Sequence, residues 1–266
     1  MIVACAGQPV FLSTGGQKLD ATQPAVLLLH GAGLDHSVWS LQSRYLAHHG
    51  RAVIAPDLPG HGRSGGAPLR SIAEMADWSW ALLDALQIHQ TSLVGHSMGA
   101  LVVLAMAAAQ PARSRSLVLI AAAAEMPVHP DLLTAARDDL GLASALISMW
   151  GFGPAGQVGG NRMPGLQMRL TGQRLIDSSK PGVLAADLTA CDAYQDGISD
   201  AGKVQCPTTL LIGSEDRMTP PAKGRQLAKV MTSVADGAQI VALDGCGHMI
   251  MAERPNETID MLRSGT

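Results

Sequence analysis

Two stretches of the chain carry a serine between glycines at the spacing G-x-S-x-G: Gly95-His96-Ser97-Met98-Gly99 and Gly62-Arg63-Ser64-Gly65-Gly66. That spacing suits a nucleophilic hydroxyl held on a sharp turn, where small residues let the chain pass close to itself. A turn of this kind needs a strand directly before the serine and a helix directly after it. "TSLVG" precedes Ser97 and "MGALVVLAMAAAQ" follows it, with Pro111 as a helix terminator. Ser64 instead follows the loop "PDLPGHGR" and precedes "GGAPLR", with Pro68 close behind. Ser97 is therefore the candidate nucleophile, and Ser64 reads as a solvated loop serine.

A nucleophilic serine needs a general base, and the base needs an orienting acid. Imidazole is the side chain whose ordinary pKa lies nearest neutrality. Of nine histidines, His248 stands apart. It follows the last apolar run in "ALDGCGHMIMAERP", between Gly245-Gly247 and a helix beginning near Pro255. A loop leaving the last strand lies at the carboxyl edge of an α/β sheet, where such sheets bind ligands. The acid is sought after another strand. "TTLLIGSEDRMTPP" offers Asp216, one residue deeper into its loop than Glu215; Glu215 is the fallback, and Asp244 crowds His248 in sequence. Acyl transfer also needs two N–H groups aimed at the developing oxyanion. Met98, which opens the helix after Ser97, supplies one; the loop "HGAGLDHSVW" supplies the other, from Ala32, with Gly33 as runner-up.

These residues need a scaffold. Near-continuous apolar runs at 25–30, 52–57, 91–96, 116–121, 208–213 and 238–243 predict strands buried on both faces of a parallel sheet. Helices are expected near 36–49, 71–87, 98–110, 220–231 and 255–263, which makes the fold α/β. A hairpin turning at Gly15-Gly16 would add an antiparallel edge. The interval between 121 and 208 is far longer than one crossover helix requires. The expected organisation is thus one domain over 1–266, with core 1–122 and 205–266 and a helical cap insertion at 123–204. With 47% hydrophobic residues and a net charge of −3, the chain has ample core and no electrostatic footprint for nucleic acid. No apolar run is long enough to span a membrane, and no secretory leader is read at the start. Four scattered cysteines (Cys5, Cys191, Cys206, Cys246) read as free thiols of a cytoplasmic protein, with no metal site and no cofactor.

The segments "LLLHGAGLDHSVW", "VIAPDLPGHGRSGG", "LVGHSMGALV", "LLIGSEDRMTP" and "LDGCGHMIMAERP" together resemble the α/β-hydrolase superfamily, in its serine-nucleophile branch. The resemblance implies a mostly parallel eight-stranded sheet with helices on both faces and a helical cap inserted after strand 6. It also implies the triad Ser97, Asp216 and His248, and makes "DLPGHGRSG" a structural loop.

The expected activity is cleavage of a small, largely apolar ester, thioester or lactone through an acyl-enzyme on Ser97, the partner being a small-molecule acyl substrate. The alternatives are a ligand-binding or receptor-like member with slow turnover, a carbon–carbon bond hydrolase, or a cofactor-free haloperoxidase-like enzyme. Met249 after the histidine, where carbon–carbon bond hydrolases often carry an aromatic residue, weighs against that class. The pocket is expected to draw on Gly33, Met149, Trp150, Phe152 and Met249. The sequence leaves the oligomeric state open.

Overall fold

The computed structural model describes residues 1–157, 159–160 and 167–266. Val158 and residues 161–166, which fall inside the expected cap, lie outside the described residues.

Strands β1 (Ile2–Cys5), β2 (Gln8–Ser13), β3 (Ala25–Leu29), β4 (Ala52–Pro56), β5 (Thr91–His96), β6 (Ser114–Ile120), β7 (Thr208–Gly213) and β8 (Gln239–Leu243) are joined in the order β1-β2-β4-β3-β5-β6-β7-β8. The pairings from β4 to β8 are parallel; β1 with β2 and β2 with β4 are antiparallel. The edge hairpin exists, but its turn is Ala6-Gly7, not Gly15-Gly16. Ala6 and Gly7 have φ of 49° and 74°, as a two-residue hairpin loop requires. Gly15 serves a close approach instead: a Cβ there would lie 2.1 Å from the Ser43 carbonyl oxygen.

The helices are α1 (Ser40–His48), α2 (Ile72–Ala85), α3 (Met98–Ala109), α4 (Pro130–Asp138), α5 (Leu140–Gly151), α6 (Met168–Asp177), α7 (Val183–Ala193), α8 (Gly197–Lys203), α9 (Pro221–Val230), α10 (Ile250–Glu253) and α11 (Pro255–Gly265). The helix expected from 36 starts as a 3₁₀ turn, His36–Trp39, capped by the Asp35 side chain.

Side chains of a strand alternate between faces, and β3 feeds two cores. Leu27 and Leu29 pack with Leu82, Leu101, Ala201 and Leu227 on one face. Val26 and Leu28 pack with Trp39, Leu46 and Leu262 on the other. This double burial explains why β3 to β7 read as continuous apolar runs. β8 departs from that expectation: it is the edge strand, and Ile240 is 38% exposed.

Helices α4 to α8 follow β6. Leu132, Ile147, Phe152, Ile176 and Leu184 form a third apolar cluster together with Leu34 and Met249, from the loops after β3 and β8. The insert is thereby packed over the carboxyl ends of the strands. Within the span 123–204, α8 joins the sheet-face core instead, through Ala201.

Ser64 is buried, not solvated. Its Oγ donates to the Asp57 carbonyl at 2.7 Å and accepts the Phe11 N–H at 2.9 Å, tying β2 to the loop after β4. Ser64→Ala leaves both groups without that partner and should lower the unfolding free energy by about 1–3 kcal/mol. Urea denaturation measures it; an unchanged midpoint and slope would mean that the two bonds contribute nothing.

Candidate active site

The turn between β5 and α3 sets the position of Ser97. Its backbone has φ 52° and ψ −118°, a region that costs a non-glycine residue about 1–3 kcal/mol. The conformation is held on both sides. The Ser97 N–H donates to the Ile120 carbonyl at 3.0 Å, and its own carbonyl accepts the Ala100 N–H at 2.8 Å. Glycine is required around it: a Cβ on Gly95 would lie 2.1 Å from the Gly99 carbonyl oxygen, and one on Gly99 would lie 2.4 Å from that of Leu29. A serine opening a helix ordinarily accepts a hydrogen bond from that helix's first turn. Ser97 makes no such cap bond, so its hydroxyl has no structural employment in α3.

His248 is buried, and its Nδ1 lies 2.9 Å from Asp216 Oδ2. Asp216 is itself saturated with donors. Its Oδ1 accepts the N–H groups of Met218 at 2.9 Å and Thr219 at 2.8 Å, and its Oδ2 accepts the Thr219 hydroxyl at 2.7 Å. Burial pushes its pKa up, but the charge and hydrogen bond of His248 and the bonds from Thr219 outweigh it, holding the carboxyl below its ordinary range. Glu215 and Asp244, the other acids considered, are not on the ring. Glu215 is exposed, and Asp244 Oδ1 accepts the Ser214 hydroxyl at 3.3 Å.

The His248 backbone is fixed as firmly as its ring. Its N–H donates to the Gly151 carbonyl at 2.7 Å, and its carbonyl accepts His96 Nε2–H at 3.0 Å. Burial drives His96 down to about 3, and the neighbouring His248 adds to the shift, so His96 is neutral beside the site. Glu253 accepts the N–H groups of Gly153 at 2.9 Å and Gly247 at 3.1 Å, joining the insert to the His248 loop. Gly247 has to be glycine, since a Cβ there would lie 2.3 Å from the Gly153 nitrogen.

Ser97 and His248 line one cavity of about 480 Å³, together with Gly31, Ala32 and a largely apolar wall that includes Leu34, Leu132, Ile147, Trp150, Leu188 and Met249. Of the residues expected to form the pocket, Trp150 and Met249 line it. Met149 does not: it is 44% exposed, because adjacent helical residues point about 100° apart. Phe152 follows the end of α5 and is buried in the insert's own cluster. Gly33 is turned toward α7, and its N–H donates to Asp187 Oδ2 at 2.8 Å. The Leu34 N–H is committed to the Gly31 carbonyl at 3.2 Å. Among the described residues, this leaves the Ala32 N–H without an acceptor. Met98 is the first residue of α3, so its N–H has no carbonyl a turn behind it in the helix.

Sequence reading places His96 beside Ser97 without a role, and Thr219, Glu253 and Asp187 escaped it. Only the threonine was accessible to it, three residues beyond Asp216 at a helix start. Cys246, two residues before His248, is fully buried, and burial pushes its thiol up to about 12, so it is inert packing. The four cysteines are free. Asp35, His36 and Asp57 lie close enough to share an ion. Asp57 is already engaged by the His36 N–H and Nδ1 and by the Arg63 N–H.

Residues 26–261 match the model of the alpha/beta hydrolase family. A pimeloyl-[acyl-carrier protein] methyl ester esterase of Aromatoleum aromaticum is 31% identical, over 88% of this chain and 95% of its own. A protein of Mycobacterium phage D29 that carries a non-heme haloperoxidase name is 28% identical, over 98% of this chain and 92% of its own. The enol-lactonase of Burkholderia xenovorans LB400 superposes with a TM-score of 0.87 over 99% of this chain and 98% of its own, at 24% identity.

Because Asp216 ionises below the ordinary carboxylate range in the folded chain, the stability it lends is present at neutral pH. That stability is lost as the pH falls through the depressed range. The melting temperature of the protein should therefore exceed that of Asp216→Asn near neutrality, with the gap closing as the pH falls below the ordinary carboxylate range. A gap that stays constant over that interval would mean that the Asp216 charge adds nothing to stability.

Proposed function

The chain belongs to the alpha/beta hydrolase family, and we propose that it is a serine hydrolase cleaving a small, largely apolar carboxylic ester, thioester or lactone. One observation carries the reading. A serine strained at the head of a helix, with no cap bond to make, shares an apolar cavity with a histidine whose Nδ1 is bound by a buried carboxylate.

The chemistry follows from the atoms. Asp216 accepts Nδ1–H of His248, which leaves Nε2 as the basic nitrogen. The Ser97 Oγ attacks the substrate carbonyl carbon while its proton passes to Nε2. The carbonyl oxygen becomes an oxyanion, stabilised by the N–H groups of Ala32 and Met98. Collapse expels the alcohol, thiol or ring oxygen, which takes the proton back from His248. Water then gives a proton to Nε2 and attacks the acyl-enzyme, and the carboxylic acid leaves as Ser97 is regenerated. The wall of Leu34, Leu132, Ile147, Trp150, Leu188 and Met249 favours an apolar acyl group. In this reading the helices after β6 serve as a cap over the site.

A fluorophosphonate should label Ser97 and not Ser64, as peptide mapping would reveal, and Ser97→Ala should abolish turnover of activated esters across an acyl-chain series. Label on Ser64, or full turnover by Ser97→Ala, would contradict the assignment.

Asp216→Asn should lower kcat on the order of 10³-fold, whereas Glu215→Gln should change it little. Equal effects from the two would move the acid elsewhere. With His248 as base, kcat/KM should rise with pH through a single ionisation. A flat profile in a folded enzyme with rate-limiting acylation would remove His248 from that role.

A further inference from the structure

A second carboxylate–histidine pair lies outside the triad. Asp187, on α7, is completely buried, and its Oδ2 accepts His61 Nε2–H at 2.8 Å. The other ring nitrogen of His61 donates to the Pro59 carbonyl at 3.0 Å. Both ring nitrogens thus face acceptors, which the imidazolium satisfies. Burial lowers the His61 pKa, but the Asp187 charge and hydrogen bond raise it further, so the net shift is upward. Both nitrogens being committed, His61 has none left to act as a base.

The same Oδ2 accepts the Gly33 N–H at 2.8 Å. Gly33 is the third residue of the turn Gly31–Leu34, with φ 66°, and it packs against α7 so closely that a Cβ would lie 2.8 Å from Leu184 Cδ1. Leu184, Asp187, Leu188 and Cys191 recur at the spacing of one helix face. Leu188 and Cys191 from that face line the cavity that holds Ser97. One face of one insert helix therefore walls the cavity and grips the turn beside it.

A buried carboxylate is costly unless it is paired and hydrogen-bonded. Mere attachment of α7 to the sheet would need only apolar residues, which its neighbours already supply. What the carboxylate adds is a fixed acceptor for one particular peptide group. With the Gly33 N–H held by Asp187 and the Leu34 N–H held by Gly31, the second half of the turn is fixed, while the N–H of Ala32, which lines the cavity, has no acceptor among the described residues.

We propose that Asp187 is a positioning residue for acyl transfer, its carboxylate holding the Gly31–Leu34 turn so that the Ala32 N–H points at the substrate oxyanion. The inference rests on the serine-hydrolase reading above. An oxyanion donor acts mainly in the transition state, so displacing it should lower kcat more than it raises KM.

The test compares Asp187→Leu, which removes the acceptor at similar volume, with Asp187→Asn, whose amide oxygen can still accept the Gly33 N–H. Asp187→Leu should lower kcat by roughly 10- to 100-fold with KM changed less than about threefold. Asp187→Asn should fall between it and the wild type. An alkyl boronic acid, which forms a tetrahedral adduct on the serine, should lose affinity in step with kcat/KM, while the carboxylic acid product should bind as before. A folded Asp187→Leu variant with kcat within about twofold of wild type would overturn the proposal. So would equal losses of boronate and product affinity in either variant, the mark of a general structural role. If Asp187→Leu does not fold, the boronate-to-product ratio in Asp187→Asn decides alone, and an unchanged ratio overturns the proposal. Full turnover by Ser97→Ala would sink the underlying reading instead, whatever Asp187 does.

Discussion

Everything in the site hangs on how closely the start of α3 passes the end of β3. The carbonyls of Leu29 and Gly99 come so near the neighbouring glycines that a single methyl group at Gly99 or Gly95 has no room. Ser97 takes its positive-φ conformation on the turn beside this contact, held by its own N–H bond to the Ile120 carbonyl and by the Ala100 N–H that its carbonyl accepts. A strain of about 1–3 kcal/mol at one residue is small beside a helix whose side chains are buried almost all round. The same closeness puts the start of α3 beside the turn after β3, so Met98 and Ala32 come from adjoining elements.

Burial then sorts the histidines. His30 and His96 have no carboxylate bonded to them, and burial lowers them to about 4 and 3, so both are neutral and serve as hydrogen-bonding struts. His30 donates from Nδ1 to the Gly31 carbonyl and accepts the Leu58 N–H at Nε2, while His96 holds the His248 carbonyl. His61 and His248 each have a buried carboxylate, at 2.8 and 2.9 Å. They differ at the other nitrogen. In His61 it is bonded to the Pro59 carbonyl; in His248 the ring borders the cavity, and among the described residues no hydrogen bond occupies Nε2. Of the two carboxylate-bound rings, His248 is thus the one that keeps a nitrogen without a hydrogen-bond partner beside the cavity.

The insert is bound to this machinery by polar as well as apolar contacts. The Gly151 carbonyl at the end of α5 accepts the His248 N–H, Glu253 bridges Gly153 and Gly247, and Asp187 on α7 grips Gly33. The helices after β6 and the loops that carry Gly33 and His248 are therefore joined by hydrogen bonds.

Much of this was legible in the chain itself. Strands buried on both faces write themselves as unbroken apolar runs, which is why β3 to β7 could be read and the exposed edge strand β8 resembled them only in composition. The elbow is also local: glycine two residues either side of Ser97, a strand before and a helix after. Asp216 and His248 were chosen by their places after strands, a rule of topology that needs no coordinates, and the structure pairs them at 2.9 Å. What tertiary structure alone decided is everything that depends on distant residues meeting. Gly33 and Asp187 are 154 positions apart, and no spacing rule links them. Ser64 was misread as solvated because its partners, Phe11 and Asp57, lie on another strand and at a loop start. The row Met149-Trp150-Phe152 looked like one apolar wall, yet the helical rotation turned Met149 to solvent and the end of α5 sent Phe152 into the insert's own core. Local order follows from backbone sterics and hydrophobic period, both written along the chain. Which nitrogen faces a cavity, and which N–H of a turn is left over, follows only from how the packed elements exhaust one another's hydrogen bonds.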